Sequence, residues 1–278
     1  MQVAVINFKD PAAPAAFTRS LRETGFAVLN NHPIDAQSID QTYNNWQRFF
    51  EGAGKEDYLF SPKHQDGYFP FGTENAKGSD TKDLKEFYHY YKWGRVPSQL
   101  ADISQKLYSD LESLAIQLLG WVEAELPDKV TQQFSEPLDN MIGGSHRTLL
   151  RTIYYPALTG GEEAGAIRAA AHEDINLITL LVGATEAGLE VQDVEGNWFP
   201  VPCDPGMIAV NTGDMLEMAS HGYLPSTTHR VINPVGADSS RPRLSMPLFL
   251  HPRDDVLLNE KITAHEYLQE RLREIGLR

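Results

Sequence analysis

Two hydrophobic rhythms divide the chain. Up to about residue 125, apolar positions recur mostly every three to four residues. Residues 35–50 carry Ile39, Tyr43, Trp46 and Phe50 at that spacing, which predicts a helix. The longest such stretch is 99–125. There Ile103, Leu107, Leu111, Leu114, Leu118 and Val122 line one face behind Pro97, so this helix is expected to pack on a sheet. Residues 15–24 read as a helix stopped by Gly25, and 3–8 and 26–29 as short strands. Residues 60–80 are rich in Gly, Pro, Asp and Lys and predict a loop.

After residue 147 the rhythm shortens. Strands are predicted over 149–155, ending at Pro156, then 175–182, 207–211, 228–232 and 244–250, with a Gly/Glu loop at 159–166. The runs 188–191 and 198–201 flank the turn Glu195-Gly196-Asn197 and predict a hairpin. Short strands separated by turns suggest a β-sandwich or jelly roll. A final helix is marked by a Thr263/Glu266 capping box, an Ile262/Tyr267 staple and Gly276 at its end. No repeat or linker splits the chain into independent units.

Composition narrows the function. The chain has 278 residues, 41% hydrophobic and 22% charged, enough to bury a sizeable core. A formal charge of −14 repels phosphate backbones and anionic lipid, so neither nucleic acid nor membrane is expected as a partner. One cysteine, Cys203, leaves no intramolecular disulfide, Cys-rich zinc site or iron–sulfur cluster. It fits a reducing cytoplasm. The first ten residues lack the basic and apolar regions of a signal peptide. The apolar run 175–184 is half of what a membrane span requires.

The candidate chemistry lies among nine histidines. Two His-x-Asp triplets occur, and the triplet alone is not diagnostic. His64, of His64-Gln65-Asp66, falls in the Pro/Gly-rich loop and reads as a solvated loop histidine. His172-Glu173-Asp174 precedes the apolar run 175–182. If all of this is one strand, residues i and i+2 share a face, and imidazole and carboxylate converge. A third ligand from a later strand would complete a facial triad with open positions, which suits non-haem Fe(II) and oxygen. His221 and His229 are the candidates. His229 opens a strand-like run and is favoured over His221, which precedes Gly222 in a turn-like segment. Arg243 and Ser245 share the parity of an otherwise apolar strand. A buried arginine there requires an anion, such as a small dicarboxylate. Arg241 is a rival of the same parity. His146, Arg151 and Arg168 are further residues that could face an anionic substrate.

The ordered set Tyr155-Pro156, His172-Glu173-Asp174, Thr228-His229-Arg230-Val231 and Arg243-Leu244-Ser245 resembles the isopenicillin N synthase-like 2-oxoglutarate and Fe(II)-dependent oxygenases. Val210-Asn211-Thr212-Gly213-Asp214 and the N-terminal Gly25-Phe26 and Asn31-His32 extend the likeness over nearly the whole chain. The resemblance implies a mainly β fold with α: a double-stranded β-helix, or jelly roll, with an N-terminal α/β cover, a supporting helix and a C-terminal helix. The corresponding regions are 1–125, 147–255 and 256–278. It further implies that His172, Asp174 and His229 hold Fe(II), and that Arg243, Ser245 and Tyr155 bind the distal carboxylate of 2-oxoglutarate. Tyr154 has the wrong strand parity for this. No catalytic group beyond the metal site is implied. The expected activity is hydroxylation of a small organic molecule by O2, with release of succinate and CO2. Two alternatives stand beside it. One is an iron oxidase of the same family that does not use 2-oxoglutarate and closes rings or desaturates. The other is a non-redox cupin-like metalloenzyme. Two departures from the family are visible. Arg243 follows His229 by 14 positions, with the excess in the Gly/Ser/Asp stretch 233–240, and Ile153 replaces an asparagine frequent in plant members. Substrate identity and oligomeric state are not legible.

Overall fold

The computed structural model describes residues 1–61, 63–74 and 81–274. In chain order the elements are β1 (Val5–Asn7), α1 (Ala13–Thr24), β2 (Phe26–Asn30), α2 (Ala36–Glu51), β3 (Gly67–Phe69), β4 (Glu86–Tyr90), α3 (Ser98–Glu125), α4 (Asp128–Thr131) and α5 (Leu138–Ile142). Then follow β5 (Leu149–Tyr155), β6 (Ala169–His172), β7 (Ile178–Val182), β8 (Leu189–Gln192), β9 (Trp198–Pro200), β10 (Ile208–Thr212), α6 (Asp214–Ala219), β11 (His229–Val231), β12 (Arg243–Leu250) and α7 (Ala264–Glu274). The helices over 15–24, 35–50 and 99–125 match their periodicity. Gly25 ends α1 in the left-handed region at φ 70°, its N–H donating to Leu21 O. The Asp35 carboxylate caps α2 at Ser38 N. The Thr263/Glu266 box caps α7 reciprocally; Gly276 lies outside the described residues.

Two sheets carry the site. Among the described residues the major sheet has eight strands in the order β1-β2-β10-β7-β12-β5-β4-β3, and the minor sheet has four, β6-β11-β8-β9. The N-terminal region thus supplies strands to both edges of the major sheet. Strand parity sorts the core into two layers. Leu244, Met246, Leu248 and Leu250 of β12 face one way, into a core shared with Phe17, Trp46, Leu107, Leu111 and Leu118 of α1, α2 and α3. Phe26, Val28, Ile153, Tyr155 and Ala209 face the other way and meet Ala169, Leu189, Val191 and Val231 of the minor sheet. The functional groups lie in that second layer, between the sheets.

Two expectations need correction, and one strand was not predicted. The strand predicted over 175–182 begins only at Ile178. His172 ends β6 of the minor sheet, and residues 173–177 form a corner between the sheets. The loop expected over 60–80 contains β3, which pairs with β4; residues 75–80 lie outside the described set. Strand β4 itself was hidden by the charged run Asp83 to Glu86, which is buried in ion pairs instead of solvated. No described helix is long and apolar enough to cross a membrane.

Candidate active site

The corner after β6 is held by a helix end. The N–H groups at the start of α6 have no partners within the helix. Asp214 N and Met215 N donate instead to the carbonyls of Asp174 and Asn176, and Gly213 N to Leu177 O. The approach is close enough that a Cβ on Gly213 would lie 2.2 Å from Asn176 O. Tyr267 of α7 donates to Asp214 Oδ2 at 2.6 Å and fixes α6 in turn. So the backbone of Asp174 is positioned by a helix that the sequence pattern did not reveal.

His172, Asp174 and His229 come together. Their ligand atoms all lie within 4.8 Å of one another, the one such His/Cys/Asp/Glu group among the described residues. His229 pairs with His172 across β11 and β6. The two Nε2 atoms stand 3.9 and 3.8 Å from Asp174 Oδ1. Every other polar atom of the trio is occupied. His172 Nδ1 lies 2.8 Å from Ala170 O, and His229 Nδ1 3.1 Å from Thr227 O. A carbonyl can only accept, so both Nδ1 atoms carry the hydrogen and both Nε2 lone pairs face Asp174. Asp174 Oδ2 accepts from Thr179 Oγ1 at 2.6 Å and Asn211 Nδ2 at 2.8 Å, leaving Oδ1 inward. Burial lowers the His172 pKa to about 4, with repulsion from His229 adding to it. Burial alone would raise the Asp174 carboxyl, but His229, His172, Asn211 and Thr179 outweigh it and hold it below its ordinary value. Neutral imidazole and ionised carboxylate are the forms a cation binds. His221 stands apart on a turn after α6, and His64 is exposed.

The trio lies between two cavities. The smaller, about 60 Å³, is lined by Tyr155, Ser245, Ile153, Asn211 and the three residues themselves. Arg243 lies beside Tyr155 in register. It is 1% exposed, with its guanidinium 5.1 Å from the Tyr155 ring centre. Its Nε donates to Glu186 O, while Nη1 is buried without a partner among the described residues. Arg241, the rival, is 60% exposed and paired with Asp238 and Glu186. Tyr154 points into the opposite core layer, stacked on Phe50 with its hydroxyl donating to Glu51.

The larger cavity, about 420 Å³, opens beside His172, whose side chain is 37% exposed. One wall is a buried ionic network. Lys85 Nζ lies 2.8 Å from both Glu74 and Asp83, and Arg151 reaches Glu74 at 3.2 Å. Burial opposes the charge on Lys85, but Glu74 and Asp83 outweigh it and raise its pKa. Arg151 Nε donates to His89 Nε2, so the His89 hydrogen is on Nδ1, bonded to Gln65 O. Burial, then the Arg151 charge, drives the His89 pKa well down. His251 also lines this cavity. It is 9% exposed, its Nδ1 has no partner among the described residues, and burial lowers its pKa to about 4. Arg147 is tied to Asp254. Of the cations suggested from sequence, Arg151 therefore sits in this wall, whereas Arg168 lies near Tyr155. His146 lines neither cavity.

Known proteins resemble this chain over most or all of its length. Residues 147–252 match the model of the 2OG-Fe(II) oxygenase superfamily. Residues 4–107 match the non-haem dioxygenase N-terminal model, described from morphine synthesis. A crystal structure from Shewanella oneidensis, assigned as an oxygenase, is 49% identical with a TM-score of 0.91, covering 100% of both chains. A 2-oxoglutarate-dependent dioxygenase of Gibberella zeae is 36% identical over 90% of this chain and 75% of its own. A full-length Neurospora crassa protein, solved in complex with alpha-KG, shares the fold at 22% identity, with a TM-score of 0.79 over 97% and 95% of the two chains. The chain therefore belongs to the 2OG-Fe(II) oxygenase superfamily and is a non-haem dioxygenase that uses Fe(II) and 2-oxoglutarate.

Proposed function

We propose that His172, Asp174 and His229 hold the ferrous ion, that Arg243, Ser245 and Tyr155 bind the distal carboxylate of 2-oxoglutarate, and that a small organic molecule is hydroxylated in the larger cavity. The observation that carries the reading is the donor set. Two Nε2 lone pairs and one carboxylate oxygen converge, while every remaining polar atom of the three residues is committed to protein. Such a mixed imidazole–carboxylate set leaves positions free for co-substrate and oxygen. Bound iron supplies the activation of O2, coupled to conversion of 2-oxoglutarate to succinate and CO2.

The protein's own part is orientation and exclusion of water. The Ala170 and Thr227 carbonyls set the two imidazole tautomers. Thr179 and Asn211 aim Asp174. Arg243, buried without a carboxylate partner among the described residues, favours an anionic co-substrate over the 2-oxoglutarate-independent alternative. In the larger cavity the charges of Lys85, Arg151, Glu74 and Asp83 compensate one another, so this wall can border a small substrate of low charge. Burial raises the pKa of the Cys203 thiol to about 12, and a single cysteine fits a reducing cytoplasm.

The test is a reaction with Fe(II), 2-oxoglutarate and O2, reading succinate while candidate metabolites are added. His172→Ala and Asp174→Ala are expected to abolish succinate formation, whereas turnover equal to the parent enzyme would overturn the ligand assignment.

A further inference from the structure

We infer that Arg168 is a second guanidinium for the distal carboxylate of 2-oxoglutarate, so that the anion seat is a two-arginine clamp around Tyr155. This rests on the co-substrate reading above and extends it to a residue outside the Arg-x-Ser pair.

Arg168 immediately precedes β6 of the minor sheet and is 0% exposed. Its single hydrogen bond among the described residues runs from Nη2 to Arg241 O, at 3.1 Å, and Nε and Nη1 are buried without partners. Its guanidinium is centred 5.9 Å from the Tyr155 ring, as that of Arg243 is centred 5.1 Å from it. Two buried cations thus share one aromatic ring, one from β12 and one from the residue before β6. No carboxylate forms an ion pair with either among the described residues. The acidic side chain nearest in effect, Glu186, is turned to the exposed Arg241.

Burial and the charge of Arg243 both act against the charged form of Arg168. Unpaired buried charge of one sign is costly, and doubling it is costlier. An arginine kept only for packing would be better replaced by an apolar side chain of similar length. A carboxylate resolves the conflict. It has about four lone-pair positions and accepts several charge-assisted hydrogen bonds at once. The unpartnered donors comprise Arg168 Nε, Arg168 Nη1 and Arg243 Nη1. Tyr155 and Ser245 line the small cavity beside the three proposed ligands, and both guanidiniums lie against the Tyr155 ring.

The discriminating ligand is 2-oxopentanoate, in which a methyl replaces the distal carboxylate. Binding of both oxoacids to the Fe(II)-loaded enzyme is measured anaerobically by calorimetry, together with the unliganded Tm. For Arg168→Met, 2-oxoglutarate is expected to weaken about tenfold or more. 2-Oxopentanoate should stay within about twofold, and the unliganded Tm should hold or rise because a repulsion has been removed. Equal weakening of both ligands, or a lower Tm with unchanged discrimination, would make Arg168 a structural brace and overturn the inference. If Arg168→Met does not fold, Arg168→Lys serves: a loss of discrimination of about threefold or more supports the clamp, and an unchanged ratio overturns it. Arg243→Met separates the two levels. If it leaves 2-oxoglutarate binding intact, the co-substrate reading fails; if it abolishes binding while Arg168→Met changes nothing, the clamp alone fails.

Discussion

Asp174 divides its work between two oxygens. Oδ2 is held by Thr179 and Asn211, and Oδ1 is thereby aimed at the two imidazoles. Removing one holder should loosen the aim without opening the fold. Asn211→Ala is expected to lower Fe(II) affinity about 10–100-fold, read by competition with a chelator, with little change in the unfolding midpoint. Unaltered affinity would place Asn211 outside the metal-binding function. The three proposed ligands were legible because His-x-Asp and a later histidine carry a recognised order. Thr179 and Asn211 were not. Each is one polar residue in a predicted strand, and its role exists only once β7 and β10 pair side by side. Arg168 was visible only as one cation among several. Its meaning came from complete burial without a counter-charge.

At the scale of elements, the period-2 argument reached the right pair of residues through the wrong geometry. It put His172 and Asp174 on one strand, whereas they flank the exit from the minor sheet. Ile175 and Leu177 extend the apolar run, so the pattern has no mark where the chain turns. The mark is distant: Gly213, which lets α6 dock its free N–H groups on that corner. Gly213→Ala should force the contact apart, costing about 1–3 kcal/mol in denaturant unfolding and weakening Fe(II) binding in the same protein. A variant with unchanged stability and metal affinity would show that the corner does not depend on this approach. Strand β4 was missed for a different reason. Its approach is charged, and local sequence gives no sign that Asp83 and Lys85 will be buried against Glu74. The long helix α3 was easy by comparison, since twenty-eight residues of regular spacing admit one interpretation.

At the scale of the molecule, histidines whose pKa the fold lowers set the acid limit. The pKa values of His251, His172 and His89 are all lowered in the fold. The unfolded chain therefore binds more protons below its ordinary histidine value of about 6.5, and stability falls as pH drops from there towards 4. For His251, with a folded pKa of about 4, the full effect is about 3 kcal/mol. Urea unfolding of the iron-free protein should give a lower midpoint at pH 5 than at pH 7.5, with a smaller difference in His251→Gln; equal slopes in the two proteins would exclude His251 as a source. The sheet order has a consequence for how the molecule is made. Strand β2 rests between β1 and β10, with Phe26 opposite Asn211, and β4 lies against β5. During synthesis the first strands emerge long before those partners exist, so their outer hydrogen-bonding edges remain open. Completing the major sheet is thus a late, long-range closure, expected to be slow and vulnerable to intermolecular strand pairing until β12, residues 243–250, joins β7 to β5.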